Sequence, residues 1–117
     1  MNQQELEKRL RSFALRSLRL VRALPKTPEN RIYGNQLIRA SSSVGANYAE
    51  ATCASTKRDF TYDINKCRKE ANESVFWLEL LFAANPLFQK RMLPLLDEAK
   101  QIVKIFQKSV STAKSEK

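Results

Sequence analysis

Histidine is absent from the 117 residues. That removes the commonest general base and the commonest metal ligand at once, and it weakens any enzymatic reading. Glycine occurs twice and proline four times, too sparsely for a chain of short strands joined by turns. Leu, Ala, Lys, Arg, Glu and Ser are common instead, a composition that favours helices. Long apolar runs are missing too. Val75 to Ala84 is the longest, and Glu79 breaks it well short of the roughly 20 residues a membrane span requires. The opening MNQQELEK is polar and mixed in charge, unlike a secretory signal. These absences lead us to expect a soluble, cytoplasmic protein with no membrane association and no cofactor. The length suits one domain over residues 1–117, large enough to bury a core without staples.

Cysteine is scarce as well. Cys53 and Cys67 have no metal or redox spacing. On antiparallel helices turning near Ser55 they would be offset by roughly 13–15 Å along the axis, whereas a disulfide needs Cα atoms within about 7 Å. Two reduced thiols that act as small buried hydrophobes are expected.

Charge of one sign is in excess. Lys and Arg number 21 against 12 Asp and Glu, for a net +9. Residues 1–26 carry +5 and residues 86–117 carry +4, while the two stretches between them are neutral. A field of this size favours acidic partners, nucleic acid first. It also serves solubility alone.

The periodicity predicts four helices. Helix one spans about 3–24, with Leu6, Leu10, Phe13, Ser17, Leu20, Val21 and Leu24 recurring at three and four. Arg9, Arg11, Arg16, Arg19 and Arg22 lie mostly off that stripe, either as a solvated face or as phosphate clamps. Leu24-Pro25-Lys26-Thr27-Pro28 ends it, and Thr27 caps helix two with Pro28 in the first position. Helix two spans about 28–53, with Ile32, Leu37, Ala40 or Ser41, Val44 and Tyr48 facing inward. Arg39, Ser43, Asn47 and Glu50 share a second, polar face. Gly34 and Gly45 each cost about 1 kcal/mol in a helix interior, which suggests close backbone contact. Ser55 or Thr56 caps helix three, about 57–84, whose inner face is Phe60, Ile64, Cys67, Ala71, Val75, Leu78 and Phe82. Thr56 to Asp59 resembles a capping box.

The loop between helices two and three is tight, so the pair is antiparallel with a fixed register. That register sets Arg39 level with Asn72 and Glu73, and an Arg39–Glu73 or Arg39–Glu70 ion pair is expected. Asn85-Pro86 stops helix three, with Asn as cap and Pro in first position of a new turn. Leu87 to Met92 reads as a short helical piece, and Pro94 forces a second start or a kink. Helix four proper then spans about 94–113, with Leu95 or Leu96, Ala99, Ile102, Val103, Phe106 and Val110 inside. Residues 114–117 read as a frayed tail.

Catalytic constellations are poor. Glu70 and Glu73 lie one turn apart, as acid–base or metal carboxylates do, but no His accompanies them and Arg39 and Lys66 stand ready as ion-pair partners. Ser41-Ser42-Ser43 has no base beside it, and helical serines commonly bond the preceding turn's carbonyl. The SSSVGAN run lacks the glycine spacing and lysine of a phosphate loop. Trp77 with Phe76 offers either a stacking platform for a base or an interface and core anchor, the second being the commoner use.

Several stretches together resemble a known family. They are Gly34-Asn35-Gln36-Leu37-x-Arg39-x-Ser41-x-Ser43-Val44-Gly45-Ala46-Asn47-Tyr48, then Ser55-x-Lys57-x-Asp59-Phe60, then Glu70-Ala71-Asn72-Glu73-x-x-x-Trp77-Leu78-Glu79-Leu80-Leu81. Leu24-Pro25-Lys26-Thr27 fits the family's first turn. The chain resembles the small bacterial four-helix bundle protein family, also called the 23S rRNA intervening sequence protein family, over roughly residues 10–83. Glu50, the Gln3–Lys8 start and Pro94 depart from its pattern. The resemblance implies an all-α, antiparallel up-down-up-down four-helix bundle that assembles into a homopentamer. It also implies a link to nucleic acid, since some members are encoded within large-subunit rRNA genes. The accessory variability determinant protein of diversity-generating retroelements looks like a relative, one that contacts a reverse transcriptase and nucleic acid. No enzymatic activity is implied.

On this basis a non-enzymatic oligomer that binds RNA or DNA through basic surface is expected, with little sequence specificity. Arg9, Arg11, Arg16, Arg19, Lys100, Lys104 and Lys108 are the candidate contacts. Arg39, Ser43, Asn47, Glu70 and Glu73 form a structural polar network. The alternative is a protein scaffold that docks a nucleic-acid-processing partner such as a reverse transcriptase.

Overall fold

A computed structural model describes residues 1–115. Among them are four α-helices and no strand: α1 Gln3–Ala23, α2 Pro28–Thr52, α3 Lys57–Ala84 and α4 Gln89–Ser115. They pack as an elongated bundle, 47 × 21 × 19 Å. The most extensive packing joins α2 to α3, followed by α3 to α4 and α1 to α2, while α1 and α4 touch more lightly.

Local chemistry sets the helix starts. Asn2 Oδ1 accepts from the Glu5 N–H at 2.8 Å, and the Glu5 carboxylate accepts from the Asn2 N–H at 3.0 Å. This reciprocal cap is absent from the sequence-based expectations, although Asn-x-x-Glu carries its pattern. Thr27 and Thr56 cap α2 and α3 by accepting from the Asn30 and Asp59 N–H groups, each at 3.1 Å. Pro28 begins α2, where its missing N–H costs nothing.

The core follows the expected stripes with some shifts. In α1, Leu6, Leu10, Phe13, Ser17 and Leu20 are buried. In α2 the inner face runs Asn30, Gly34, Leu37, Ala40, Ser41, Val44. Ile32, expected inside, is 60% exposed, because at 100° per residue it lies about 200° from Asn30 and from Gly34. In α3 the inner face is Ile64, Cys67, Ala71, Ser74, Leu78 and Leu81. Phe60 lies outside it in the first turn, at the end of the bundle, and Val75 and Phe82 are partly buried. Phe13 and Phe106 are fully buried, each stabilising by about 1.5–3 kcal/mol, more than a typical surface ion pair. Buried Ser17 and Ser74 satisfy their hydroxyls on the carbonyls of Phe13 and Glu70, both at 2.9 Å, the usual bond for a helical serine. Cys67 is buried and Cys53 exposed, and both are free thiols. Cys53 departs from the expected buried hydrophobe because it is the C-cap of α2, at the turn.

Asn85 holds the cap position of the turn after it, with Pro86 first in that turn, but its side chain makes no capping bond there. Its amide points inward and donates to Asn30 Oδ1 at 2.8 Å and to the Leu81 carbonyl at 2.9 Å, while Asn30 Nδ2 donates back to Asn85 Oδ1 at 2.8 Å and to the Pro25 carbonyl at 3.0 Å. One buried amide pair thus ties the first loop and the start of α2 to the end of α3. A single 3₁₀ turn, Pro86–Phe88, then leads directly into α4.

Of the second start or kink expected at Pro94, the second start does not occur, since α4 runs through it from Gln89. The lost hydrogen bond would have used the Lys90 carbonyl, and Lys90 and Pro94 are both exposed, so water can replace it. Met92, fully buried, anchors the preceding turn. At its other end α4 continues through Ser115, past the expected limit at 113. Residues 116 and 117 of the expected tail lie outside the described residues.

Candidate nucleic-acid interface

The central pair carries the polar network. Arg39 on α2 reaches Glu70 on α3 at 3.3 and 3.4 Å and also bonds Glu73. Burial pushes the Arg39 pKa down, but the two carboxylates together outweigh it, and the net shift is upward. Ser43 Oγ donates to the Arg39 carbonyl at 2.8 Å, and Trp77 Nε1 donates to Glu73 Oε1 at 3.3 Å. Asn47 lies half-buried on the same helix. The Trp77 ring packs against Tyr33, with centroids 6.0 Å apart, and edge-on against Phe76 at 5.0 Å. Trp77 therefore contributes to packing between the helices. Ser41 and Ser43 donate to carbonyls of their own helix, as structural serines do.

The seven candidate cations do not form one strip. Arg9 is occupied: its Nε and Nη2 donate to the two Glu98 oxygens at 2.8 and 2.7 Å, and Nη2 also donates to Gln101 at 2.9 Å. The Glu98 hydrogen bond raises the Arg9 pKa, against a smaller opposing effect of burial. This bidentate pair fastens α1 to α4 and leaves little charge for an outside anion. Arg16 and Arg19 line a cleft of about 190 Å³ between α1 and α4, joined there by Arg91 and by the buried Leu20 and Leu95. Lys100 and Lys104 line a separate groove of about 350 Å³ between α3 and α4, alongside Asn72, Val75 and Val103. Arg11 and Lys108 are exposed and line neither.

Arg91 is a member of the cleft that sequence reasoning missed. Its signal is its spacing: Arg91 lies seven residues before Glu98, as Arg16 lies seven after Arg9. Among the described residues, none of Arg16, Arg19 and Arg91 has an ion-pair partner, and no group of His, Cys, Asp and Glu could hold a metal. Nor is any helix among them long and apolar enough to cross a membrane.

Ion-paired central helices and an arginine-lined cleft between the outer ones define an antiparallel four-helix bundle with a basic flank. The chain belongs to the 23S rRNA-intervening sequence protein family, whose sequence model matches residues 2–108. The match reaches beyond the expected 10–83 and takes in both the Gln3–Lys8 start and Pro94. The chain is also similar to a crystal structure of a protein of unknown function from the S23 ribosomal protein family of Bacteroides thetaiotaomicron. The two are 27% identical, with 95% of this chain and 99% of that one covered and a TM-score of 0.84. Neither description names a catalytic activity. No curated protein matches the chain.

Proposed function

We propose that this protein is a non-enzymatic, oligomeric helical bundle of the bacterial cytoplasm that binds nucleic acid through its phosphate backbone with little sequence preference. The supporting observation is the group of arginines on the α1–α4 flank that no carboxylate of the described chain neutralises, in a protein of net charge +9. Phosphate contacts of this kind give affinity without reading bases. Assembly into a homopentamer would repeat the flank five times and turn a weak contact into a strong one by avidity. Gel-shift titration at low salt with tRNA, an rRNA fragment and duplex DNA tests the reading. All three should shift, and failure of all three would refute it. Light scattering on the purified protein should give five subunits.

A second reading, a scaffold for a nucleic-acid-processing protein such as a reverse transcriptase, draws support from apolar side chains exposed on the central pair. Ile32 is 60% and Phe76 52% exposed, and such side chains favour contact with another protein surface. Co-purification of a defined partner that survives nuclease treatment would favour the scaffold over direct nucleic-acid binding.

A further inference from the structure

The seam between α1 and α4 keeps one register but changes character along its length. Arg9 meets Glu98 across it at 2.7 Å. Seven residues on along α1 stands Arg16, and seven back along the antiparallel α4 stands Arg91. Seven residues make about two helical turns, so the same register sets Arg16 level with Arg91. Both line one cleft, with exposed Arg19 beside them and buried Leu20 and Leu95 beneath. Where the first position pairs a cation with an acid, the second assembles cations alone. Among the described residues no carboxylate pairs with any of the three.

Like charges gathered in a cleft repel unless an anion joins them. The planar guanidinium fork matches phosphate oxygens two at a time. Three arginines lining one cleft suit a tetrahedral group with several oxygens better than a carboxylate with two. We propose that Arg16, Arg19 and Arg91 form a discrete phosphate-binding site, whose ligand is a backbone phosphate of a nucleic-acid strand. The inference rests on the function proposed above only for the source of the phosphate. Free phosphate has the same chemistry and is the other source.

The test uses the full chain and Arg91→Glu, with Lys69→Glu as a control of equal charge change on the exposed side of α3. Arg91→Glu recreates the arginine–carboxylate pairing seen two turns away, so its melting midpoint without ligand should be no lower than wild type. Inorganic phosphate, compared with chloride at matched ionic strength, should raise the midpoints of wild type and Lys69→Glu saturably and leave Arg91→Glu unmoved. A short single-stranded RNA should bind Arg91→Glu about tenfold more weakly than Lys69→Glu, as loss of one charge-assisted contact implies. The salt slope should be shallower by about 0.7.

Phosphate inert toward wild type, with RNA bound equally by both variants, overturns the site and leaves the broader nucleic-acid reading standing. A phosphate response lost only in Arg91→Glu, with no RNA binding by any form, supports the site with free phosphate as its ligand and overturns the nucleic-acid reading. Should Arg91→Glu fail to fold, Arg19→Gln against Lys69→Gln provides the same comparison.

Discussion

Gly34 and Gly45 lie on the same helix, and replacing each with alanine separates two opposing effects. In a helix interior Ala is favoured over Gly by about 1 kcal/mol. A Cβ at Gly45 would meet Leu10 Cβ at 3.6 Å, an ordinary contact, so Gly45→Ala should gain close to that full amount. A Cβ at Gly34 would come within 2.6 Å of Val21 Cγ1. Valine is stiff about χ1 and cannot swing clear cheaply, so α1 must move away from α2, and overpacking of this kind costs about 1–3 kcal/mol. The net for Gly34→Ala is a loss of about 0–2 kcal/mol, opposite in sign to Gly45→Ala.

Val21→Ala removes both γ carbons and leaves only the Cβ, at 3.6 Å. In that background Gly34→Ala should regain its gain of about 1 kcal/mol, or about 4 °C in melting temperature. Urea denaturation at one fixed protomer concentration measures all of these variants. Additivity of Gly34→Ala and Val21→Ala within about 0.5 kcal/mol, or a stabilising Gly34→Ala on its own, would refute the close approach of α1 and α2.

The same physics yields three further outcomes. Asn30→Ala or Asn85→Ala leaves its buried partner amide short of a hydrogen bond and should each cost about 1–3 kcal/mol, with the double variant costing less than the two losses combined in a denaturation cycle. Burial pushes the Cys67 thiol up to about 12, above an unfolded value near 8.5, so the folded state holds this proton more tightly. Its stabilising effect is complete below about pH 8.5 and is lost as pH climbs towards 12. Denaturation midpoints should fall over that range, less steeply in Cys67→Ala, and a thiol reagent at pH 8 should label Cys53 alone until the protein unfolds. Arg39→Leu should lower stability by up to about 1 kcal/mol, because its side chain is 46% exposed. An unchanged melting temperature and assembly state would count against a structural role for the pair.

Features determined by a short loop or a local motif are legible in the sequence. The tight turn at Ser55 fixes the register of α2 against α3, and that register alone brings Arg39 to Glu70 and Glu73. Thr27-Pro28 and Thr56 mark their helix starts because a cap acts over three residues. Features that depend on segments distant in the chain are not legible. Asn85 looks like a cap until Asn30 supplies its partner. Pro94 looks like a break until the exposure of Lys90 is known. Arg91 faces Arg16 across a seam with no connecting loop, so the register there is transmitted through the rest of the bundle. Arg9 looks as available as Arg16, and only the approach of Glu98 distinguishes them.

Unneutralised cations on the α1–α4 flank are held here to bind nucleic acid by its phosphates. The slope of log affinity against log salt for a labelled single-stranded RNA tests this most directly, since each neutralised phosphate contributes about −0.7. Tight binding at low salt is expected, with a slope of about −0.7 from the cleft phosphate and a steeper one as other cations of the flank neutralise further phosphates. Absence of binding at low salt, or affinity indifferent to salt, would contradict it.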